Sequence, residues 1–374
     1  MAQRMADAQE SQCCSHAAAS RHAAPATSRS HSVNTSIPGD LLESLRCAAC
    51  RGVLVRAADA LHCAACSRTF PIVLGIPDLR LYDDPLIPRK DDYRKGEKLQ
   101  RAAESMSFAE LVAYYWTLPT YPPTPPGLSA RFVHHVLTDA SRIACWEESL
   151  GTGDALLDVG CGAGVLVRVA HKRFRRVVGL DVGFRWLIVA RRGLEEAGIE
   201  PRLVCACADH LPFANETFDA VSSVALLEHV PNARLALREF SRVQRPAGRT
   251  VVWTSNRFSL APEPHVRVWG VGFLPRRFMP AFVRWRRGLA YTGKTLLSRF
   301  ELARTARRAG YRRSEFRLPR VAAEDLTYAG AAERFAARAY DAVRRIAPLR
   351  YPITVVFPAL LAVLSDRSTG GDRA

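Results

Sequence analysis

The chain has 374 residues, 48% of them hydrophobic and 24% charged, a balance that excludes a disordered or fibrous protein and gives length for about two domains. Its formal net charge of +17 points to nucleic acid, an anionic membrane surface or an acidic substrate. The basic residues are mostly arginine, scattered through an alanine-rich chain rather than packed in one run, and that distribution favours coding bias as the source of the charge.

Residues 1–36 are rich in Ala, Ser, Arg and His without apolar periodicity and read as a disordered tail. Cys13, Cys14, His16 and His22 lie there with no scaffold to hold a metal. No apolar core of signal-peptide length is present, and Tyr351 to Leu364, the longest apolar stretch, is too short for a bilayer and holds Pro352 and Pro358. A cytoplasmic protein with reduced thiols and no transmembrane segment is expected, with Cys161, Cys205 and Cys207 packing as small apolar residues.

Cys47-Ala48-Ala49-Cys50 and Cys63-Ala64-Ala65-Cys66 have the spacing of a four-thiolate zinc site. Each Cys-x-x-Cys turn lets two sulfurs converge on one ion, and the segment between them can form a hairpin that completes the tetrahedron. Two disulfides would need an oxidising compartment. With every position filled by thiolate, such a zinc (Zn2+) is structural. The next segment, Phe70 to Leu79, resembles the strand of small zinc-binding activator subunits that partner tRNA and protein methyltransferases. The ribbon is expected over residues 37–80, folding on its metal independently of the rest of the chain.

Residues 80–100 are charged and proline-marked and read as a linker. Ser107 to Leu118 reads as an amphipathic helix carrying Tyr114, Tyr115 and Trp116, the stretch to Pro126 as extended, and Ala130 to Ser149 as a further helix. Linker and capping helix together occupy 81–129.

Leu156-Leu157-Asp158-Val159-Gly160-Cys161-Gly162-Ala163-Gly164 then reads as a buried strand breaking into a glycine-rich turn, with a helix from Val165 to Phe174. A second strand ends at Asp181, a third, Arg202 to Ala206, leads to Asp209-His210-Leu211-Pro212-Phe213, and a fourth, Phe218 to Val224, runs into Leu227-Glu228-His229-Val230. The turn Arg245 to Gly248 precedes a fifth strand, Thr250 to Thr254. This order of motifs resembles the class I S-adenosylmethionine-dependent methyltransferases, and looks closest to the subgroup that includes ubiquinone and menaquinone biosynthesis enzymes. The match is good over about residues 150–256.

The resemblance implies an α/β fold, a Rossmann-like seven-stranded methyltransferase sheet flanked by helices over residues 130–365, preceded by the small ribbon and succeeded by a polar tail at 366–374. It also implies S-adenosyl-L-methionine as cofactor. Gly160, Cys161 and Gly162 would let the backbone approach the cofactor's amino-acid part, Asp158 would receive its ammonium, Asp181 with Val182 beside it would take the ribose hydroxyls, and Asp209 with His210 the adenine. Methyl transfer to a hydroxyl needs a base of near-neutral pKa, which makes His229 and His265 the two candidates.

Beyond the fifth strand comes a loop rich in Pro, Gly and aromatics. Arg276 to Gly288 reads as a helix with Phe278, Phe282 and Trp285 on one face; such a helix suits packing on the domain with a solvated arginine rim, or contact with an anionic membrane. Glu324 to Ile346 reads as helical, Gly310-Tyr311 into Phe316 to Val321 as the sixth strand and Leu360 to Ser365 as the seventh, antiparallel. The expected activity is O-methylation, ahead of N- or C-methylation, of a small-molecule acceptor: a sugar, a lipid-linked molecule or a secondary metabolite. RNA methylation is the alternative that ribbon and charge permit, though the ribbon lacks the histidine-bearing ending of the ribosomal RNA guanine methyltransferases. A catalytically silent binding module fits poorly with intact Asp158, Gly160, Gly162, Asp181 and Asp209.

Overall fold

The computed structural model describes residues 37–119 and 128–367. Cys13, Cys14, His16 and His22 lie outside them, as do most of the proline-rich stretch and residues 368–374. Helix α1 (Gly39–Ser44) leads into four antiparallel strands, β1 (Leu54–Ala57), β2 (Ala60–Cys63), β3 (Thr69–Val73) and β4 (Ile76–Pro77), paired in chain order. The β1–β2 hairpin joins the two cysteine knuckles, as the spacing requires.

The larger part of the chain contributes α2 (Arg89–Ala103), α3 (Phe108–Tyr115), α4 (Leu128–Ala144), β5 (Gly153–Val159), α5 (Val165–Ala170), β6 (Phe174–Asp181), α6 (Phe184–Glu196), β7 (Leu203–Cys205), β8 (Phe218–Val224), α7 (Ala233–Val243) and β9 (Gln244–Ser255). Beyond these lie α8 (Met279–Arg287), α9 (Arg299–Arg308), β10 (Tyr311–Arg317), α10 (Ala331–Val343), α11 (Ala347–Val356) and β11 (Ala359–Arg367). The seven-stranded sheet runs β10-β11-β9-β8-β5-β6-β7, with β11 antiparallel between its neighbours and β9, β8, β5, β6 and β7 parallel. The parallel strands are apolar on both faces because helices cover both: Leu157, Val159, Leu180 and Val221 pack into one cluster, Leu156, Val177, Ala220 and Val251 into the other.

The ribbon does not stand apart. Its Leu41, Leu45, Leu61, Phe70 and Leu79 share one apolar cluster with Leu157, Leu180, Phe213 and Phe240. Past β4 the chain runs parallel to β7, with Asp78 bridged to Cys205 and the Leu79 amide donating to the Cys205 carbonyl at 2.8 Å. The expectation of an independently folding ribbon is therefore corrected: so small a unit buries too little apolar surface alone and completes its core on the neighbouring sheet.

Residues 80–100, read as a linker, contain most of α2, which packs along α6. Gly96 allows this, since a Cβ there would stand 2.7 Å from the Phe184 ring. The misreading has a physical cause. The buried residues of α2 are Asp92, Lys95, Gly96 and Leu99, so its inward face carries charge and shows no apolar stripe. Asp92 accepts from Arg80 at 2.8 Å and Arg185 at 2.9 Å, and from the backbone amides of Phe184 and Arg185 at 2.9 and 3.2 Å, which caps the start of α6.

Smaller differences arise from local geometry. The sixth strand ends at Arg317 rather than Val321, and β9 starts at Gln244, with Arg245–Gly248 bulged out against β8. The region read as one helix, Glu324 to Ile346, divides into a 3₁₀ turn and α10, and an unforeseen α11 that tolerates Pro352 follows it. Helix α8 buries Met279 and Val283 and packs Phe282 partly against the same cluster, while Phe278 and Trp285 are 49% and 75% exposed, so the aromatics read on one face divide between the domain and solvent. Among the described residues no helix is long and apolar enough to cross a membrane.

Candidate active site

Parallel strands deliver their carboxyl ends to one edge, where open α/β sheets bind ligands. At the end of β5 the chain turns through Gly160, Gly162 and Gly164, all at positive φ (78°, 49° and 72°). Gly162 faces open space, with nothing within 4 Å of where a Cβ would stand, whereas a Cβ on Gly164 would meet Ala190 of α6 at 2.8 Å. The first leaves room for a ligand and the second lets α5 lie close to α6.

Asp181, at the end of β6, pins this turn. One carboxylate oxygen accepts from the Gly162 amide at 2.9 Å and the other from the Gly183 amide at 2.7 Å. Burial pushes its pKa up to about 6, although both amides pull the other way. Asp158 is 2% exposed and accepts from the Ser222 hydroxyl on β8 at 2.7 Å. Burial outweighs that hydrogen bond and raises it to about 7, with the nearby Asp181 adding to the rise. Asp209, after β7, accepts from the Tyr82 hydroxyl, and His210 Nδ1 lies 3.1 Å from the same oxygen. Val182 offers its carbonyl to Arg80 at 2.9 Å, and Cys161 is buried with its thiol raised well above its usual range by burial.

The two candidate bases come together. His229, after β8, lies with its Nε2 3.2 Å from the Nε2 of His265, which the loop after β9 supplies. His265 Nδ1 is 2.5 Å from the carboxylate of Glu263, a buried residue that also accepts the backbone amides of His265 and Val266 at 2.8 Å each. Glu228 is buried beside them and accepts from the hydroxyls of Thr254 at 2.6 Å and Ser255 at 3.0 Å. The side chain of Leu226 covers Gly160 at 3.0 Å from a Cβ there, so this cluster adjoins the glycine turn.

Tyr115 is 4% exposed, accepts from Arg185 Nε at 3.0 Å and stacks on Trp186, while Trp116 stacks on Phe132. These aromatics pack the cap. Sequence reasoning missed Glu263, Tyr82, Asp92 and the Arg80–Asp78 pair; the acidic and basic crowding of residues 78–95 hinted at the last three alone.

The four ribbon cysteines carry free thiols whose sulfurs all lie within 4.8 Å of one another, with Cys47 and Cys66 3.6 Å apart and Cys50 and Cys63 3.5 Å apart. A tetrahedron with about 2.3 Å zinc–sulfur bonds has edges near 3.8 Å, so this donor set fits the ion.

Residues 157–252 match the family model described as methyltransferase domain, and residues 40–75 the model described as Trm112p-like protein. A ubiquinone biosynthesis O-methyltransferase of Aliivibrio fischeri (strain MJ11) is 31% identical over 156 residues, 41% of this chain and 63% of that protein, so the chain spans under two thirds of its length. Methyltransferase GfsG of Streptomyces halstedii is 36% identical over 106 residues, 28% of this chain and 38% of its own. A solved complex between the Haloferax volcanii Trm112 methyltransferase activator and a putative methyltransferase is 18% identical, with a TM-score of 0.41 over 63% of this chain and 94% of its own, too distant to carry weight. The chain thus carries a Trm112p-like domain over residues 40–75 ahead of a methyltransferase domain over residues 157–252.

Proposed function

We propose that the protein is an S-adenosylmethionine-dependent O-methyltransferase acting on a small molecule with an acidic hydroxyl, a phenol or catechol. The observation that carries this reading is the set of three carboxylates, Asp158, Asp181 and Asp209, at the ends of β5 and β6 and just past β7, around a glycine turn with open space at Gly162. The sulfonium of the cofactor supplies an activated methyl group. Asp181 binds the ribose hydroxyls, Asp158 the ammonium and Asp209 the adenine, each a charge-assisted hydrogen bond. His229 or His265 takes the acceptor's proton. Names of relatives support hydroxyl methylation in proteins similar over the same segment.

The cysteine tetrad holds a structural zinc, a donor set that calls for a reducing compartment such as the cytoplasm. The acceptor meets the protein at or near an anionic membrane: residues 264–300 contain eight basic residues and no acidic one, and Trp269, Phe273, Phe278, Trp285 and Phe300 in that segment are all exposed.

The test is incubation of purified protein with methyl-labelled cofactor and, separately, a panel of phenols including catechol, total RNA and a lipid extract. Label in the phenols or lipid supports the reading. Label in RNA alone overturns it.

A further inference from the structure

We infer that Glu263, His265 and His229 form a two-imidazole proton relay in which His229 Nδ1 is the atom that accepts the acceptor's proton, with Glu263 and His265 as positioning residues. This rests on the hydroxyl-methylation reading and deepens it, because it assigns one base, one ring atom and one tautomer where the sequence left two histidines as alternatives.

The hydrogen-bond order fixes the protons. Glu263 is 4% exposed, and one of its oxygens is already held by the amides of His265 and Val266, so the carboxylate is anchored to its own loop. Burial alone would raise its pKa, but the hydrogen bond and charge of His265 and the Val266 amide together hold it below the ordinary carboxyl range. An ionised carboxylate only accepts, so His265 Nδ1, 2.5 Å away, carries a proton. In neutral His265 the other nitrogen, Nε2, is then a bare acceptor. It faces His229 Nε2 at 3.2 Å, a separation that requires one proton between the two nitrogens, so His229 carries it on Nε2. His229 Nδ1 is left as the lone pair of the chain, with no hydrogen bond among the described residues. His229 is the exposed member and Glu263 the buried one, so the relay leads from the open edge of the sheet inward.

Proton balance is simple. The acceptor O–H proton passes to His229 Nδ1 as the oxygen takes the methyl group and the sulfonium becomes a neutral thioether. The proton on His229 Nε2 moves to His265 Nε2. The resulting imidazolium sits on His265, against the Glu263 carboxylate, and later returns its proton to water. Splitting the task this way matters, because His229 alone is a weak base: although the residue reaches solvent, lost hydration around its ring lowers its pKa first, and His265 and Lys294 lower it further, against the opposing pull of Glu228 and Glu263. Tyr291 also faces Glu263, at 3.5 Å.

The test has two independent readouts. Imidazole proton NMR of the free protein needs no acceptor: one strongly downfield N–H resonance is expected, lost in H265Q and moved upfield in E263Q. The two rings should take up protons in two separated steps, because a second cation at this distance opposes the first. Two rings titrating together near the ordinary value of about 6.5, with no downfield proton, overturns the relay. The second readout uses catechol as acceptor. H229Q should lower turnover roughly 10²- to 10⁴-fold, with cofactor affinity by calorimetry unchanged as the check on folding. H265Q should lower it less, and the double variant should be no slower than H229Q, because His265 acts only through His229. Losses that multiply overturn the relay and make the two histidines separate bases. If no phenol is methylated, the functional reading fails while the NMR result still decides the relay.

Discussion

The hydroxyl of Tyr82 donates to the carboxylate of Asp209, joining the segment that leaves the ribbon to the carboxylate just past β7. Asp209 is also 3.1 Å from His210 Nδ1 through the same oxygen, so its second oxygen remains for an adenine amino group. Through this contact the segment leaving the ribbon holds the carboxylate that we propose meets the adenine.

Y82F should therefore weaken cofactor binding by about 1–2 kcal/mol, the loss of one hydrogen bond to a charged acceptor, while bound zinc stays unchanged. Calorimetry giving the wild-type dissociation constant would show that Asp209 needs no help from Tyr82.

Metal loss should be felt by the whole molecule. Cys47 and Cys63 belong to the same apolar cluster as Leu157 and Phe240, so C50S, or zinc removal by a chelator, should lower the temperature of a single calorimetric transition. A separate early transition, with the main one unmoved, would restore the independent ribbon expected from the sequence.

Acidity should act on stability and on binding in opposite senses. The free protein holds Asp181 near 6 and Asp158 near 7, above the ordinary 3.8, so its protonated folded form is favoured. The stability they contribute is present below about pH 4 and is lost as pH rises through those two values. Ammonium and ribose hydroxyls bind the charged carboxylates, so cofactor affinity should rise through about pH 6 and level above about pH 7. Calorimetric titrations from about pH 5 to 8 check the direction, and a flat affinity would contradict it.

The outward aromatics of α8 should carry vesicle binding. Cosedimentation with anionic vesicles is expected, weakened by salt and by W285A together with F278A, and absent with neutral vesicles. Equal binding to both vesicle types, or none to either, would leave the arginine-rich surface without a membrane partner.

The sequence made the chemistry of single strands legible and left contacts between distant segments hidden. Gly160, Gly162, Asp158 and Asp181 were readable because an apolar strand, a tight turn and a strand-end acid are local patterns, and the cysteine tetrad because its spacing is geometric. Asp92 was not, since it caps a helix that starts 92 positions later and its own helix buries charges rather than a stripe. Glu263 escaped for a different reason: it sits two residues from His265 in an irregular loop, where no period marks which side chain faces inward. The outward turn of Trp285 was hidden too, because an amphipathic pattern gives two faces without saying which one the protein covers.

Calorimetry of S-adenosylmethionine with the wild type and with D181A tests the cofactor site most directly. One molecule should bind per chain, and D181A should weaken it by about 1.5–3 kcal/mol, as expected for a carboxylate that holds a ligand and also pins the Gly162 amide. Undiminished affinity in D181A, or no binding by the wild type, would contradict the assignment of the β5–β6 edge as the cofactor site.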